Sequence, residues 1–148
     1  MKRWMVMSCV LVMAMTPPVA LAQQASPAGG LTFALERAVV LRGACVATLS
    51  IESTLAGDLD RFAMDLAVLD GAGVTVRRLR LDLAPLVAGA STRFSLPLWD
   101  GDCGGVASLR LEAMPQCRDE ASGADLDCLA LTTLATRGAT VSGIRLQR

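Results

Sequence analysis

From residue 31 onward, apolar and polar side chains change places with a period of two, the spacing of strands that bury one face. Cys45, Ala47, Leu49 and Ile51 share one face, opposite Val46, Thr48, Ser50 and Glu52. Phe62, Met64, Leu66 and Val68 repeat the pattern with Asp65 on the wet side, and Asp70-Gly71-Ala72-Gly73 then marks a turn. Within Val74–Leu83 the parity changes: Val76 belongs to one face, and Leu79, Leu81 and Leu83 to the other. A one-residue shift exchanges the two faces of a strand, so a bulge or kink is expected at Arg77-Arg78. Thr92–Leu98 alternates again, with Phe94, Leu96 and Leu98 inward. Pro97 has no amide donor, which predicts an edge strand or an early end. Val106–Ala113 follows a D-G-D-C-G-G turn, and short strands are expected around Leu129–Leu134 and Thr140–Leu146. Leu31, Phe33 and Leu35 predict the first strand, although Leu31–Leu41 and Leu126–Leu134 would each also suit a short helix by composition.

About seven short strands with turns between them predict an all-β sandwich. The segment from Ala47 to Leu98 carries A-M-D-L-A-V-L-D-G-A-G-V-T-V and V-A-G-A-S-T-R-F-S-L. These stretches resemble bacterial immunoglobulin-like domains of the FxLYD type, with Leu69 standing where an aromatic residue usually precedes the Asp. The resemblance implies an immunoglobulin-like or fibronectin-III-like β-sandwich in an extracytoplasmic setting, and it implies no activity, because such folds host many.

The N-terminus changes the picture of where the chain works. Lys2 and Arg3 precede the apolar run Trp4–Met15, and Ala20 and Ala22 supply the small-residue pattern that signal peptidase reads. Residues 1–22 are therefore expected to be a cleaved signal peptide. Residues 23–30 read as a flexible N-terminus, and residues 31–148 as a single sandwich domain. Pro17 and Pro18 interrupt the apolar run short of spanning length, so no stable membrane anchor is expected after cleavage. Loss of 22 from 148 residues leaves twelve arginines, no lysine and fourteen carboxylates, a net charge of −2. The Ala-, Leu-, Gly- and Arg-rich composition suggests a bacterial source. Periplasm and secretion are both compatible with such a leader.

Four cysteines remain beyond the leader: Cys45, Cys103, Cys117 and Cys128. An even number in an exported chain favours two disulfides over a thiolate metal site, and no C-x-x-C pair is present. The D-G-D-C-G-G stretch around Cys103 differs by one atom type from the G-D-S-G-G motif of trypsin-like proteases. A thiol nucleophile there needs a general base, almost always histidine, and the chain contains none. Asp100 and Asp102 also oppose the low-pKa thiolate that redox catalysis requires. In an immunoglobulin-like sandwich the second and sixth strands run parallel on opposing sheets. The resemblance therefore favours Cys45–Cys103 with Cys117–Cys128 among the three possible pairings.

Two surfaces stand out. The loop between Cys117 and Cys128 holds Arg118, Asp119, Glu120, Asp125 and Asp127, and reads as a solvated loop, a recognition loop or, less well, a calcium loop. Arg77, Arg78 and Arg80 form the only dense basic run, suited to keeping an edge strand from aggregating or to docking an acidic partner. Asp58, Asp60 and Asp65 form a second acidic group, and Trp99 is placed to cover one end of the core. Scarce aromatics and a single short basic run argue against sugar and nucleic-acid binding.

The expected protein is thus a non-enzymatic exported binding or assembly module with a protein partner. It would act through loops or an edge strand, the latter also allowing a homo-oligomer. No catalytic residue, cofactor or metal is expected. Two alternatives are a secreted receptor mimic, by analogy with bacterial interleukin-receptor mimics, and a hydrolase using a carboxylate pair.

Overall fold

The computed structural model describes residues 29–137 and 143–148. It is an all-β sandwich of two four-stranded sheets. The strands are β1 (Leu31–Leu41), β2 (Ala44–Ser53), β3 (Leu59–Leu69), β4 (Thr75–Asp82), β5 (Ser91–Asp100), β6 (Ser108–Asp119), β7 (Thr132–Thr136) and β8 (Arg145–Gln147). A single helical turn, α1 (Cys128–Leu131), leads into β7. One sheet has the order β5-β2-β1-β7 and the other β4-β3-β6-β8. Pairing is antiparallel except at the rims, where β7 runs parallel to β1 and β8 parallel to β6. The expected leader and residues 23–28 lie outside the described residues. Gly30 already hydrogen-bonds Thr54 through its amide and its carbonyl, so the sandwich is anchored just before β1.

The core is the set of inward rows anticipated from the alternation. Phe33, Leu49, Ile51, Phe62, Met64 and Leu66 are fully buried between the sheets. Full burial of such side chains contributes about 1.5–3 kcal/mol each, and they interlock into one cluster. On β3 the outward residues Ala63 and Ala67 are buried as well, Ala63 lying in register between Asp82 and Gln116 and Ala67 between Arg78 and Arg110.

The departures from strict alternation are bulges. Between Leu35 and Arg37 the β1–β2 register slips, leaving Glu36 as the extra residue. That slip moves the inward position from Leu35 to Ala38 and gives β1 the helix-like spacing seen in its sequence. The residues form a strand throughout. The parity change expected at Arg77-Arg78 is a bulge one residue earlier, at Val76, between Thr75 and Arg77. On β5 the extra residue is Leu98, and β5 is an edge strand, as Pro97 requires.

The sixth strand runs past Ala113 to Asp119. Met114 and Pro115 sit opposite Met64 at a register slip, where a missing amide interrupts no ladder bond. Cys117 therefore lies within this strand and not after it. The strand expected at Leu129–Leu134 begins with α1, which Asp127 caps by accepting from the Ala130 amide at 3.1 Å, and extends as β7 only from Thr132. Of the strand expected at Thr140–Leu146, residues 140–142 lie outside the described residues, and the observed strand is Arg145–Gln147. Among the described residues no helix is long and apolar enough to cross a membrane.

Candidate interaction surfaces

Cys103 is bonded to Cys45, with Cα atoms 4.8 Å apart, and Cys117 is bonded to Cys128, with Cα atoms 6.0 Å apart. All four are buried. Cys45 opens β2 and Cys103 precedes β6, so one bridge joins the two sheets at one end of the sandwich. Cys117 near the end of β6 and Cys128 at the start of α1 place the other bridge at the opposite end. Two buried disulfides belong to an oxidising, non-cytoplasmic setting.

The D-G-D-C-G-G turn has a second role in packing. Trp99 is partly buried against the core, and a Cβ added at Gly101 or at Gly105 would come within 2.9 Å of its Nε1. Gly101 also has φ +143°, a conformation that L-residues rarely adopt. The turn thus clasps the indole between two glycines while its cysteine crosses to β2. Trp99 does cover that end of the core.

At the other end, the loop between the second pair of cysteines is exposed over most of its length, but three of its five expected recognition residues serve the fold. The Arg118 guanidinium makes a two-point contact with the Asp60 carboxylate on β3, one arm being Nε to Oδ1 at 2.9 Å. This holds the Asp60 carboxyl below its usual range and raises Arg118. Asp119 Oδ1 accepts from the Ser122 amide at 2.8 Å and its hydroxyl at 2.6 Å, which closes the tip and lowers the Asp119 carboxyl. Asp127 is the cap of α1. Glu120 and Asp125 stay exposed on the loop, without a side-chain hydrogen bond among the described residues. Asp125 lies close enough to Arg118 to contribute to raising it.

The three carboxylates Asp58, Asp60 and Asp65 do not form one group. Asp58 accepts from the Ala88 amide at 2.7 Å, Asp60 holds Arg118, and Asp65 holds Arg80. Among the described residues no three metal-ligating side chains gather into a group that could hold a metal ion.

The arginine run divides along the pleat of β4, an edge strand among the described residues. Arg78 and Arg80 point to the outer face. Arg80 grips Asp65 with two hydrogen bonds of 2.7 Å, which lowers the Asp65 carboxyl. Arg78 shares Glu112 with Arg110, at 3.2 and 3.1 Å, and both hold the Glu112 carboxyl down, Arg110 the more strongly. Arg77 pairs in register with the buried Val68, so it belongs to the inner parity and reaches the seam between the sheets. There it lines a cleft of about 380 Å³ with Val76, Pro97, Leu98, Trp99 and Asp100. Arg77 has no carboxylate within 4 Å among the described residues.

This cleft was not legible in the sequence, since its walls come from two sheets. The only signal pointing to it was the proximity of Pro97 and Trp99 in an edge strand. A further cluster covers the outer face of the other sheet, where Arg137 holds Glu52 at 2.5 and 3.0 Å and reaches Glu36 at 3.8 Å. Its partners lie too far apart in the chain for any spacing to show.

Neither a known family model nor a curated protein matches the chain. Among solved structures, IrmA from Escherichia coli has a TM-score of 0.51 to it. The match covers 72% of this chain and 91% of that chain at 12% identity. At that identity the likeness is one of fold alone.

Proposed function

We propose that this chain is a non-enzymatic exported module that binds or assembles with a protein, with an immunoglobulin-like or fibronectin-III-like sandwich as its rigid frame. The observation that carries this reading is how its charge is used. Five carboxylates, Glu52, Asp60, Asp65, Glu112 and Asp119, are each held below their usual range, four by arginines and one by Ser122. A hydrolytic carboxylate pair needs one member raised so that it can donate a proton near neutrality, and these sites work the other way. Among the described residues, the surface still offers Glu120 and Asp125 on the stapled loop, the cleft at Arg77, and the rim of β4.

The two disulfides and the leader-like residues 1–22 support action in the bacterial periplasm or outside the cell. The stretches 63–76 and 87–96 support the FxLYD-type resemblance, and the strand order, with β4 and β3 beside β6, supports the fibronectin-III-like form. A receptor-mimic role would use the same loop and rim with a host protein as partner.

Photo-cross-linking in the exporting cell tests this. A reactive residue at Glu120 or Arg77 should capture a discrete protein, and the same residue at Thr48 on the opposite outer face should not. Equal capture from all three positions removes the reading. So does a hydrolase activity of the purified protein that a single Asp or Glu substitution abolishes.

A further inference from the structure

Among the described residues the sandwich ends in four rim strands: β4, β5, β7 and β8. β8 has three residues and β7 five, and β5 carries Pro97 in its rim, which removes a donor. β4 offers eight residues with no proline. The Leu83 amide donates to the Phe62 carbonyl at 3.0 Å, and the β3–β4 register alternates from there through Leu81 and Leu79. In an antiparallel ladder the residues between these point their amides and carbonyls away from the partner. Arg78, Arg80 and Asp82 therefore face outward along the rim. Leu79 and Leu81 project into the seam and are only partly covered.

Resting on the assembly reading above, we propose that the occupant of this rim is β4 of a second copy, paired antiparallel about a two-fold axis through Arg80. The charge pattern and the length of strand that overlaps together select that register. An axis at Leu79 would set Arg78 against Arg80 of the second copy twice, and like charges directly opposed are destabilising. An axis at Arg80 leaves one such opposition, Arg80 against Arg80, and sets Arg78 against Asp82 of the second copy, and Asp82 against its Arg78. An axis at Leu81 would set Arg80 against Asp82 but overlap only residues 80–82 of each β4. With the axis at Arg80, Leu79 and Leu81 face each other across the seam on the inner side. The rim backbone groups of Arg78, Arg80 and Asp82 also find partners in this register. The single central opposition of Arg80 with Arg80 is tempered, because each holds its own Asp65 by two hydrogen bonds. Asp82 is exposed, and its side chain makes only a long 3.3 Å contact with the Ala84 amide, so it is free to turn toward a partner. The result is one continuous eight-stranded sheet with the β4 rims hidden.

Sedimentation of the oxidised protein across micromolar concentrations tests the pairing, with charge reversal as the control of register. Arg78→Asp and Asp82→Lys should each raise the dimer dissociation constant about tenfold or more, because each converts two attractions into two repulsions. The double variant R78D/D82K should restore dimerisation. If it fails to fold, Asp82→Lys alone decides, since Asp82 is exposed and its side chain makes only the long contact with the Ala84 amide. A strict monomer at high micromolar concentration overturns the pairing, as does a dimer indifferent to Asp82→Lys. Either result leaves the cross-links from the loop untouched, so the failure of this pairing and that of the binding-module reading are distinguishable.

Discussion

Arg118 and Asp60, 58 positions apart, lock the exposed loop onto β3 through the two arms of one guanidinium. The disulfide fixes both ends of that loop, and this contact fixes its side. Arg118→Lys keeps the charge and loses the fork, so it should behave much like Arg118→Ala. Both should speed hydrogen exchange of the amides between residues 118 and 127 while global melting barely moves. Unchanged exchange in both variants would show that the disulfide alone orders the loop.

The two bridges differ in how much chain they enclose, 58 residues of separation against 11. Chain-entropy reasoning predicts a loss of about 4 kcal/mol for the Cys45→Ser/Cys103→Ser double variant, and about 3 kcal/mol for Cys117→Ser/Cys128→Ser. Urea unfolding of each variant against the oxidised parent measures this. A larger loss from removing the short bridge would mean that packing around it outweighs loop closure.

Gly105→Ala isolates the clasp on Trp99, because this glycine has no positive φ to complicate the result. The added methyl meets the indole at 2.9 Å, so the ring must move outward. A destabilisation of about 1–3 kcal/mol and a red-shifted tryptophan emission are expected. Trp99 is the only tryptophan beyond the leader-like residues, which makes the emission specific if residues 1–22 are removed. Emission identical to the parent would show that the turn does not confine the ring.

Acid should weaken the fold, and the sign follows from the direction of the shifts. Glu52, Asp60, Asp65, Glu112 and Asp119 are lowered on folding. The unfolded chain therefore binds more protons below its ordinary carboxylate range of about 4. Their contribution is fully present above that range and is lost as the pH falls through the folded values. Melting temperature should stay nearly level from pH 7 to about 5 and then decline. With no histidine in the chain, no step is expected near pH 6. Stability that rises on acidification below pH 5 would contradict these assignments.

How much of this could be read from the sequence depended on whether alternation survived. β2 keeps one parity from Cys45 to Ser53, and its inward row was visible directly. The extra Glu36 in β1 and the Met114-Pro115 slip in β6 each shift parity within a single strand, so one strand resembled a helix and the other seemed to stop early. The disulfide pairing is the one that the immunoglobulin-like resemblance implied. The ion pairs were not legible, because Asp65–Arg80 and Asp60–Arg118 depend on register between strands. The run of three arginines looked uniform, although alternation along β4 sends Arg77 to the seam and Arg78 and Arg80 to the outer face.

The bridge from Cys45 to Cys103 also sets how the domain bears tension between its ends. A pull along the chain passes down β1, crosses the 4.8 Å Cα gap between these cysteines and continues into β6, bypassing β2 through β5. Those 58 residues would extend to about 200 Å if freed, yet while the sulfurs stay joined none of that length can pay out. A molecule tethered at both termini would lengthen only through the chain outside the bridge, β1, β6, β7 and β8 among the described strands, and β2 to β5 would remain within a covalently closed ring.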